Sequence, residues 1–186
     1  MIFRETRLKG AFIIEPEQLE DSRGFFARVW CQKELGVHGL SPTVAQINSS
    51  FNKNRGTIRG LHYQTAPNEE AKLIRCTRGE IYDVIIDLRP DSPTYLEWIG
   101  VELTADNRKM LYIPENLAHG YQSLTDNTEI FYPVSQFYSP DSAQGVRWND
   151  PTFGIEWPEA DNLVISEQDK NWPDYSHVKN HNRLSP

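Results

Sequence analysis

One histidine of this chain stands in a strand-like run with cations nearby. The stretch IRGLHYQ (58–64) places His62 two residues after Gly60, three after Arg59 and ten before Lys72. An unperturbed imidazole titrates near neutral pH and can act as a general base. Lysine and arginine hold enolate oxygens or phosphates. The pattern indicates proton transfer on an anionic substrate.

Three further residues have side chains suited to this chemistry. Tyr132, in TEIFYPV, is a phenol within a strand and can donate a proton, although such tyrosines usually only pack. Asp169, in ISEQD, can orient a histidine or serve as the capping-box partner of Ser166. His119, in IPENLAHGY, lines a site or closes a turn. The spacing leaves these alternatives open.

Other chemistries have less support in the sequence. No G-x-S-x-G elbow and no cysteine with suitable neighbours is present, so acyl transfer is not indicated. Many double-stranded β-barrels bind a metal through H-x-H, but here the stretch reads His62-Tyr63-Gln64. His62 and His119 with a carboxylate from Glu69 or Glu70 could still form a facial triad. Metal-free chemistry is the favoured interpretation.

Composition excludes several classes of partner. The 186 residues carry a formal net charge of −7 without a basic block, which argues against nucleic acid. The two cysteines fit no disulfide framework, so we expect the reducing cytoplasm. No run approaches the roughly 20 apolar residues of a membrane span, and the first residues lack a signal peptide's apolar region. We expect no membrane partner.

The elements that must position these side chains are mostly short strands separated by turn residues. This pattern predicts an all-β jelly roll, a double-stranded β-helix or cupin-like barrel with a few short helices, whose mouth holds the ligand. The predicted strands are Phe12–Glu15, Phe25–Trp30, Val44–Ser49, Thr57–Gln64, Ala71–Cys76, Glu80–Leu88, Leu96–Leu103, Lys109–Ile113, Gly120–Leu124, Thr128–Val134 and Gly145–Trp148.

Two helical turns and one domain complete this prediction. We expect helix at Gln32–Leu35, stopped by Gly36, and a turn near Ser166–Asn171. Residues 1–175 form one domain, and 176–186 a polar tail.

Two details of the predicted strands concern the site. Glu80–Leu88 alternates so that Asp83 and Asp87 share one face, which suits a wet barrel lumen. Strict alternation puts Arg59 and His62 on opposite faces, so we expect a bulge at Gly60.

The motifs together resemble the dTDP-4-dehydrorhamnose 3,5-epimerase family, from about Phe12 to Asp169. They are DSRGFF (21–26), RGLHYQ (59–64), KLIRCTRGEIYDVIIDLRPDSPT (72–94), IP and AHG (113–120), FYSP (137–140), WNDP (148–151), IEWP (155–158) and ISEQD (165–169). The resemblance implies a cofactor-free and metal-free cupin-like homodimer with N-terminal strand exchange. Its substrate would be a nucleotide-linked 4-keto-6-deoxyhexose of deoxysugar biosynthesis.

The resemblance also implies roles for individual residues. His62 is the base, Asp169 its dyad partner, Tyr132 the proton donor on the opposite face, and Lys72 the group that stabilises the enolate. Substrate-binding residues would be Arg23 (from the partner subunit), Phe26, Gln46, Asn48, Arg59, Asp83, His119 and Tyr138.

The chain departs from the family pattern at a few positions. Pro133 replaces a lysine after the tyrosine, and Arg28 a glutamate; IPENLAHGY differs from the commoner IPEGFAHGF. Pro133 fixes its own backbone and predicts unequal inversion at C3 and C5. Arg28 adds a cation where the nucleotide is expected to lie. The alternatives are a single-centre epimerase on another nucleotide sugar, a metal-dependent cupin oxygenase or isomerase, and a non-catalytic binding module.

Overall fold

A computed structural model describes residues 1–175 of the chain, and almost all of its regular structure is β. The strands are β1 Ile2–Glu5, β2 Phe12–Glu15, β3 Gln18–Asp21, β4 Gly24–Ala27, β5 Gln46–Asn52, β6 Thr57–Gln64, β7 Lys72–Arg78, β8 Glu80–Asp87, β9 Trp98–Thr104, β10 Met110–Ile113, β11 Leu117–Ser123, β12 Thr128–Val134, β13 Ala143–Gly145 and β14 Val164–Ile165. The helices are α1 Gln32–Val37 and α2 Glu167–Lys170. Within this part of the chain no helix has the length and apolarity needed to cross a membrane.

Two sheets face each other and enclose the core. One has the order β1-β2-β10-β7-β12-β5 and the other β13-β6-β11-β8-β9, with β14 also pairing β6. Inward side chains of both sheets, among them Ile74, Ile85, Leu111 and Ile130, form one buried cluster. This is the predicted double-stranded β-helix of the cupin type. The third sheet is the β3–β4 hairpin, which pairs with no other strand of residues 1–175.

The predicted irregularity at Gly60 is present. His62 of β6 pairs with His119 of β11, whereas Arg59 pairs with Tyr121, so the register shifts between them. The strands approach closely there: a Cβ on Gly60 would lie 2.5 Å from the Cα of Gly120. A residue with a side chain does not fit. The shift lets Arg59 and His62 line one cavity.

Several boundaries differ from the sequence predictions. Three strands were not predicted: β1, β3 and β14, which are short and exposed or partly exposed. The strand predicted at Phe25–Trp30 ends at Ala27, and the one predicted at Gly145–Trp148 is Ala143–Gly145. In each case tertiary pairing sets the boundary rather than local propensity.

The helical regions and the tail require three comments. α1 continues through Gly36 to Val37, so the predicted stop at Gly36 is wrong. Ser166 is the N-cap of α2, as predicted, and its Oγ accepts the backbone N–H of Asp169 at 3.0 Å. The tail predicted at 176–186 lies outside the described residues.

Candidate active site

A cavity of about 590 Å³ opens between the two sheets. Strands of both sheets and the segment around α2 supply its walls. The polar residues that line it are Ser50, Thr57, Arg59, His62, Lys72, His119, Tyr121, Tyr132, Ser166, Gln168 and Asp169. The cavity therefore brings together all four residues predicted to be catalytic.

His62 and Asp169 form the predicted dyad. His62 Nε2 lies 2.6 Å from Asp169 Oδ1, and the backbone N–H of Gly60 donates to Oδ2 at 3.2 Å. Burial alone would raise the pKa of Asp169, but the hydrogen bonds from His62 and Gly60 outweigh it and lower that pKa. An ionised carboxylate thus orients the imidazole and stabilises its protonated form.

One half of the predicted capping box is present: Ser166 caps α2, but the Asp169 carboxylate is bonded to His62 and Gly60 instead of reaching back to the Ser166 backbone. The capping bond of Ser166 is made to the backbone N–H of Asp169. A change of the Asp169 side chain therefore tests the dyad without removing that bond.

Lys72 stands beside His62 with its charge buried. Its ammonium donates to the carbonyl oxygen of His62 at 3.2 Å and lies 3.0 Å from Glu70 Oε1. The Lys72 and Glu70 side chains are only 8% and 13% exposed, so the cation acts in a low-dielectric setting. Sequence reasoning weighed Glu70 only as a metal ligand. The signal available in the sequence was a glutamate two positions before the lysine.

Tyr132 faces His62 from the other sheet. His62 lies on β6 and Tyr132 on β12, and both side chains line the cavity between the sheets. Burial raises the pKa of Tyr132, so its hydroxyl is protonated at neutral pH. A substrate ring between them would have an imidazole on one face and a phenol on the other.

A second histidine–aspartate pair lies next to the first. His119 is registered opposite His62, and its Nε2 lies 3.0 Å from Asp83 Oδ2. His119 lines the cavity, whereas Asp83 is fully buried behind it. Asp83 therefore positions His119 and does not itself face the ligand space, in contrast to its predicted place among the substrate-binding residues.

The expected wet lumen around the two aspartates of β8 is wrong. Asp83 is enclosed, and Asp87 is bonded to Arg89, Ser92 and Thr94 at the end of the strand. These donors outweigh the effect of burial and lower the pKa of Asp87 to about 2. Asp87 stabilises a turn rather than a ligand.

Arg59 is held at the cavity by residues of the opposite sheet. Its Nε donates to Asn52 Oδ1 at 2.8 Å, and Nη2 donates to the carbonyl oxygen of Phe51 at 3.3 Å. The hydroxyls of Tyr121 and Ser50 lie 2.9 Å apart, next to Asn52. Tyr121, Ser50 and Asn52 were not singled out in the sequence. The one signal in the sequence was that Tyr121 ends the stretch IPENLAHGY, which differs from the commoner family pattern.

An outer cavity of about 240 Å³ adjoins the first and shares His62, Lys72, Tyr132 and Gln168 with it. The predicted binding residues Gln46, Asn48 and Tyr138 line it. The other polar or aromatic residues that line it are Tyr63, Gln64, Glu70, Gln144, Gln168 and Trp172. Gln168 and Trp172 were not singled out in the sequence. Gln168 precedes Asp169 on α2, and Trp172 lies two residues after the end of that helix.

Two predicted binding residues are distant from the cavity of their own chain. Arg23 and Phe26 lie on the exposed β3–β4 hairpin, and neither lines either cavity. Arg23 is bonded to Asp21, and Phe26 is 70% exposed. Arg28 forms an ion pair with Glu34 at 2.7 Å, so its charge is directed to α1.

Pro133 does not bend the strand that carries Tyr132. β12 pairs with β5 in an unbroken register, Tyr132 with Asn48, Pro133 with Ile47 and Val134 with Gln46. The proline has no N–H, but the neighbouring pairs maintain the ladder.

Within residues 1–175 no three His, Cys, Asp or Glu side chains converge as metal ligands. The two cavity histidines are each bonded to their own carboxylate.

The fold and the cavity define the class of protein: a cupin-type double-stranded β-helix in which an imidazole and a phenol line one cavity from opposite sheets. The chain belongs to the dTDP-4-dehydrorhamnose 3,5-epimerase family, whose model matches residues 5–177.

Individual relatives agree with this assignment. The chain is 44% identical over 172 residues to a dTDP-4-dehydrorhamnose 3,5-epimerase of Methanothermobacter thermautotrophicus, covering 91% of this chain and 92% of the relative. It superposes with a TM-score of 0.88 on the Bacillus anthracis dTDP-4-dehydrorhamnose 3,5-epimerase with TDP and PPi bound, at 41% identity and with 92% and 98% coverage. ChmJ, a 3'-monoepimerase of Streptomyces bikiniensis in complex with dTDP-quinovose, matches with a TM-score of 0.88, 31% identity and 95% and 89% coverage.

Proposed function

We propose that the protein epimerises a nucleotide-linked 4-keto-6-deoxyhexose, converting dTDP-4-keto-6-deoxyglucose to dTDP-4-dehydrorhamnose. The observation that carries this proposal is the placement of His62 and Tyr132 on opposing sheets with buried Lys72 at the same cavity. Inversion of a carbon centre requires removal of a proton on one face and delivery on the other. A single imidazole cannot do both.

The reaction follows from the acidity of carbons beside a ketone. The C4 carbonyl acidifies the C–H bonds at C3 and C5, and His62 removes the proton while Asp169 stabilises the imidazolium. The electron pair moves to the carbonyl oxygen, where the Lys72 ammonium stabilises the enolate. Tyr132 then delivers a proton to the carbon from the other face, and solvent restores both groups.

The rest of the substrate has a supported position. Arg59 is held by Asn52 at the inner cavity and suits a diphosphate oxygen. Gln46, Asn48 and Tyr138 of the outer cavity suit the nucleotide, with a phenol ring for stacking on the base. The TDP and PPi bound by the B. anthracis relative support a nucleotide diphosphate as part of the ligand.

A homodimer with exchange of the N-terminal strand is part of the proposal. The outer face of the β5 and β12 edge exposes Ile47, Phe51 and Phe131, and Nε of Arg75 on β7 is buried without a partner within residues 1–175. The β3–β4 hairpin exposes further apolar side chains. A second copy that covers this face would bring its Arg23 and Phe26 to the cavity.

Complementation tests the exchange. Arg23→Ala and His62→Ala proteins should each be weak or inactive alone. If Arg23 acts in trans, mixed dimers contain one intact site, and an equal mixture after subunit exchange regains about a quarter of the wild-type activity. Arg4→Ala, a control in an exposed arginine of β1, should match wild type. No gain on mixing would place Arg23 in its own site.

A cellular role follows from the family. We place the reaction in the supply of deoxysugars for cell-surface polysaccharides such as lipopolysaccharide O-antigen, in the cytoplasm. Cys31 and Cys76 are both free thiols, which suits a reducing compartment.

A single-centre epimerase is the second candidate, since ChmJ shares the fold as a 3'-monoepimerase. Incubation with dTDP-4-keto-6-deoxyglucose in deuterated water separates the two. The double epimerase incorporates deuterium at C3 and C5 and yields the rhamno product, whereas a single-centre enzyme inverts one carbon. If neither C3 nor C5 exchanged, both candidates would be contradicted. Thermal-shift screening with dTDP, UDP, CDP and GDP identifies the nucleotide.

A further inference from the structure

The indole of Trp172 stands on a glycine beside the general base. Gly145 of β13 is registered directly opposite His62 of β6. A Cβ built on Gly145 would lie 2.1 Å from the Trp172 ring, so the indole occupies the space that a side chain would fill. The centroids of the Trp172 and His62 rings are 6.4 Å apart, with their planes at 67°. The indole thus contacts the imidazole in an edge arrangement.

Trp172 also reaches the carboxylate of the dyad. Its Nε1–H donates to Asp169 Oδ1 at 3.4 Å, a long bond to the oxygen that His62 approaches at 2.6 Å. The chain leaves α2 at Lys170, so Asp169 and Trp172 are three residues apart around one turn. One side chain therefore touches both members of the dyad.

The imidazole needs such support because it is open to the cavity. The His62 side chain is 45% exposed, whereas Asp169 is almost fully covered. A half-exposed ring loses rotational freedom only where neighbours restrict it. Asp169 holds one ring nitrogen, and the indole closes one side.

We propose that Trp172 is a positioning residue that holds the His62 ring and the Asp169 carboxylate in line with the carbon to be deprotonated. The proposal rests on His62 acting as the base in the proposed function. Small displacements of a catalytic group cost large factors in rate. Loss of the indole therefore lowers kcat, while KM changes little, because the contacts of the nucleotide lie elsewhere in the outer cavity.

Two variants remove the support by independent routes. Trp172→Ala deletes the indole, and Gly145→Ala displaces it without altering Trp172, because the new Cβ occupies its place. Both should lower kcat by about ten- to a hundredfold with KM within about threefold. Trp172→Phe retains the ring edge and should stay within about threefold of wild-type kcat.

A matched control separates this effect from a general cost of adding a methyl group. Gly36→Ala makes the same substitution in α1, where nothing lies within 4 Å of the new Cβ, and should leave kcat unchanged. Circular dichroism and thermal unfolding establish that each variant is folded. A Gly145→Ala protein that does not fold leaves the test to the two Trp172 variants.

A readout without turnover addresses the geometry directly. The imidazole Hε1 resonance of His62, assigned by its absence in His62→Ala, experiences the ring current of Trp172. Trp172→Ala and Gly145→Ala should shift it, and Gly36→Ala should not. A raised KM with unchanged kcat, or an unmoved resonance, would overturn the positioning role. A wild-type protein without epimerase activity would instead overturn the proposed function itself.

Discussion

Two histidine–aspartate pairs lie side by side at this cavity and differ in the exposure of the histidine and in the pKa of the carboxyl. His62 and His119 face each other on β6 and β11, and each approaches its own carboxylate through Nε2, at 2.6 and 3.0 Å. The first pair joins a strand to the segment of α2. The second joins two adjacent strands of one sheet.

The pKa values of the two carboxyl groups are shifted in opposite directions. Burial raises the pKa of Asp83, against the charge and hydrogen bond of His119, and its Oδ1 has no hydrogen-bond partner within residues 1–175. Asp169 is also largely covered, but the bonds from His62 and Gly60 N–H lower its pKa. The extent of burial and the number of donors to the carboxylate decide this difference in pKa. We infer that one pair is poised to accept a proton and the other to hold a substrate group.

Removal of each histidine gives the largest contrast. His62→Ala should lose turnover by at least about 10²–10⁴-fold and lose solvent deuterium exchange into substrate, since it removes the proposed general base. His119→Ala should lose about tenfold, the value of one hydrogen bond to substrate, and retain exchange. NMR of the recovered sugar measures both. An active His62→Ala protein would refute the assignment of the base.

Asparagine at each aspartate sharpens the comparison without changing size. Asp169→Asn removes the charge that stabilises the imidazolium but keeps the Ser166 cap, so kcat should fall about 10²–10⁴-fold. Asp83→Asn should stay within about tenfold, because Asp83 acts through His119. Steady-state kinetics distinguishes these outcomes. Equal losses in the two variants would mean that the pairs share one role.

The same two variants should separate in stability as pH changes. A carboxyl with a lowered folded pKa stabilises the fold above its unfolded pKa, and this contribution is lost as the pH falls through the folded value. A carboxyl with a raised folded pKa loses its contribution as the pH rises. Both carboxyls start from an unfolded value near 3.8.

As the pH rises from 3 to 7, the free energy of unfolding of Asp169→Asn should therefore decrease relative to wild type. That of Asp83→Asn should increase relative to wild type. Urea unfolding across this range tests the two slopes. Slopes of the same sign would contradict the opposite pKa shifts.

The smallest expected effect concerns Pro133, the residue after the proposed proton donor Tyr132. Pro133 predicts unequal inversion at C3 and C5, yet β12 keeps its register through it. Pro133→Ala should therefore change the ratio of the two rates by less than about threefold, since substitutions that leave packing in place cost about 0.5 kcal/mol. Position-resolved deuterium uptake gives the ratio. A larger change would make the proline a determinant of which centre inverts.

Local patterns were sufficient to predict much of this structure. Thr57–Gln64 and Thr128–Val134, which carry His62 and Tyr132, have the predicted bounds. Strict alternation would put Arg59 and His62 on opposite faces of the strand, and this predicted the bulge that is present at Gly60. Such features depend on side-chain periodicity and on the absence of a Cβ, which the sequence displays.

The features that the sequence did not reveal depend on contacts between distant segments. β14 has only two residues and forms because it pairs with Thr57 and Ile58. The Trp172 site requires Gly145 to lie opposite His62, a relation across three chain segments. Burial of Asp83 behind His119 likewise follows from sheet packing, because alternation predicts which face a residue occupies but not whether water reaches it.

The separation of base and donor on two faces is tested most directly with Tyr132→Phe in deuterated water. We expect that dTDP-4-keto-6-deoxyglucose still incorporates deuterium at C3 or C5 at a measurable rate, because His62 remains, while little inverted product forms. His62→Ala, the control, should show neither exchange nor inversion. Inversion by Tyr132→Phe at the wild-type rate would contradict the account, because the proton on the second face would then come from another group.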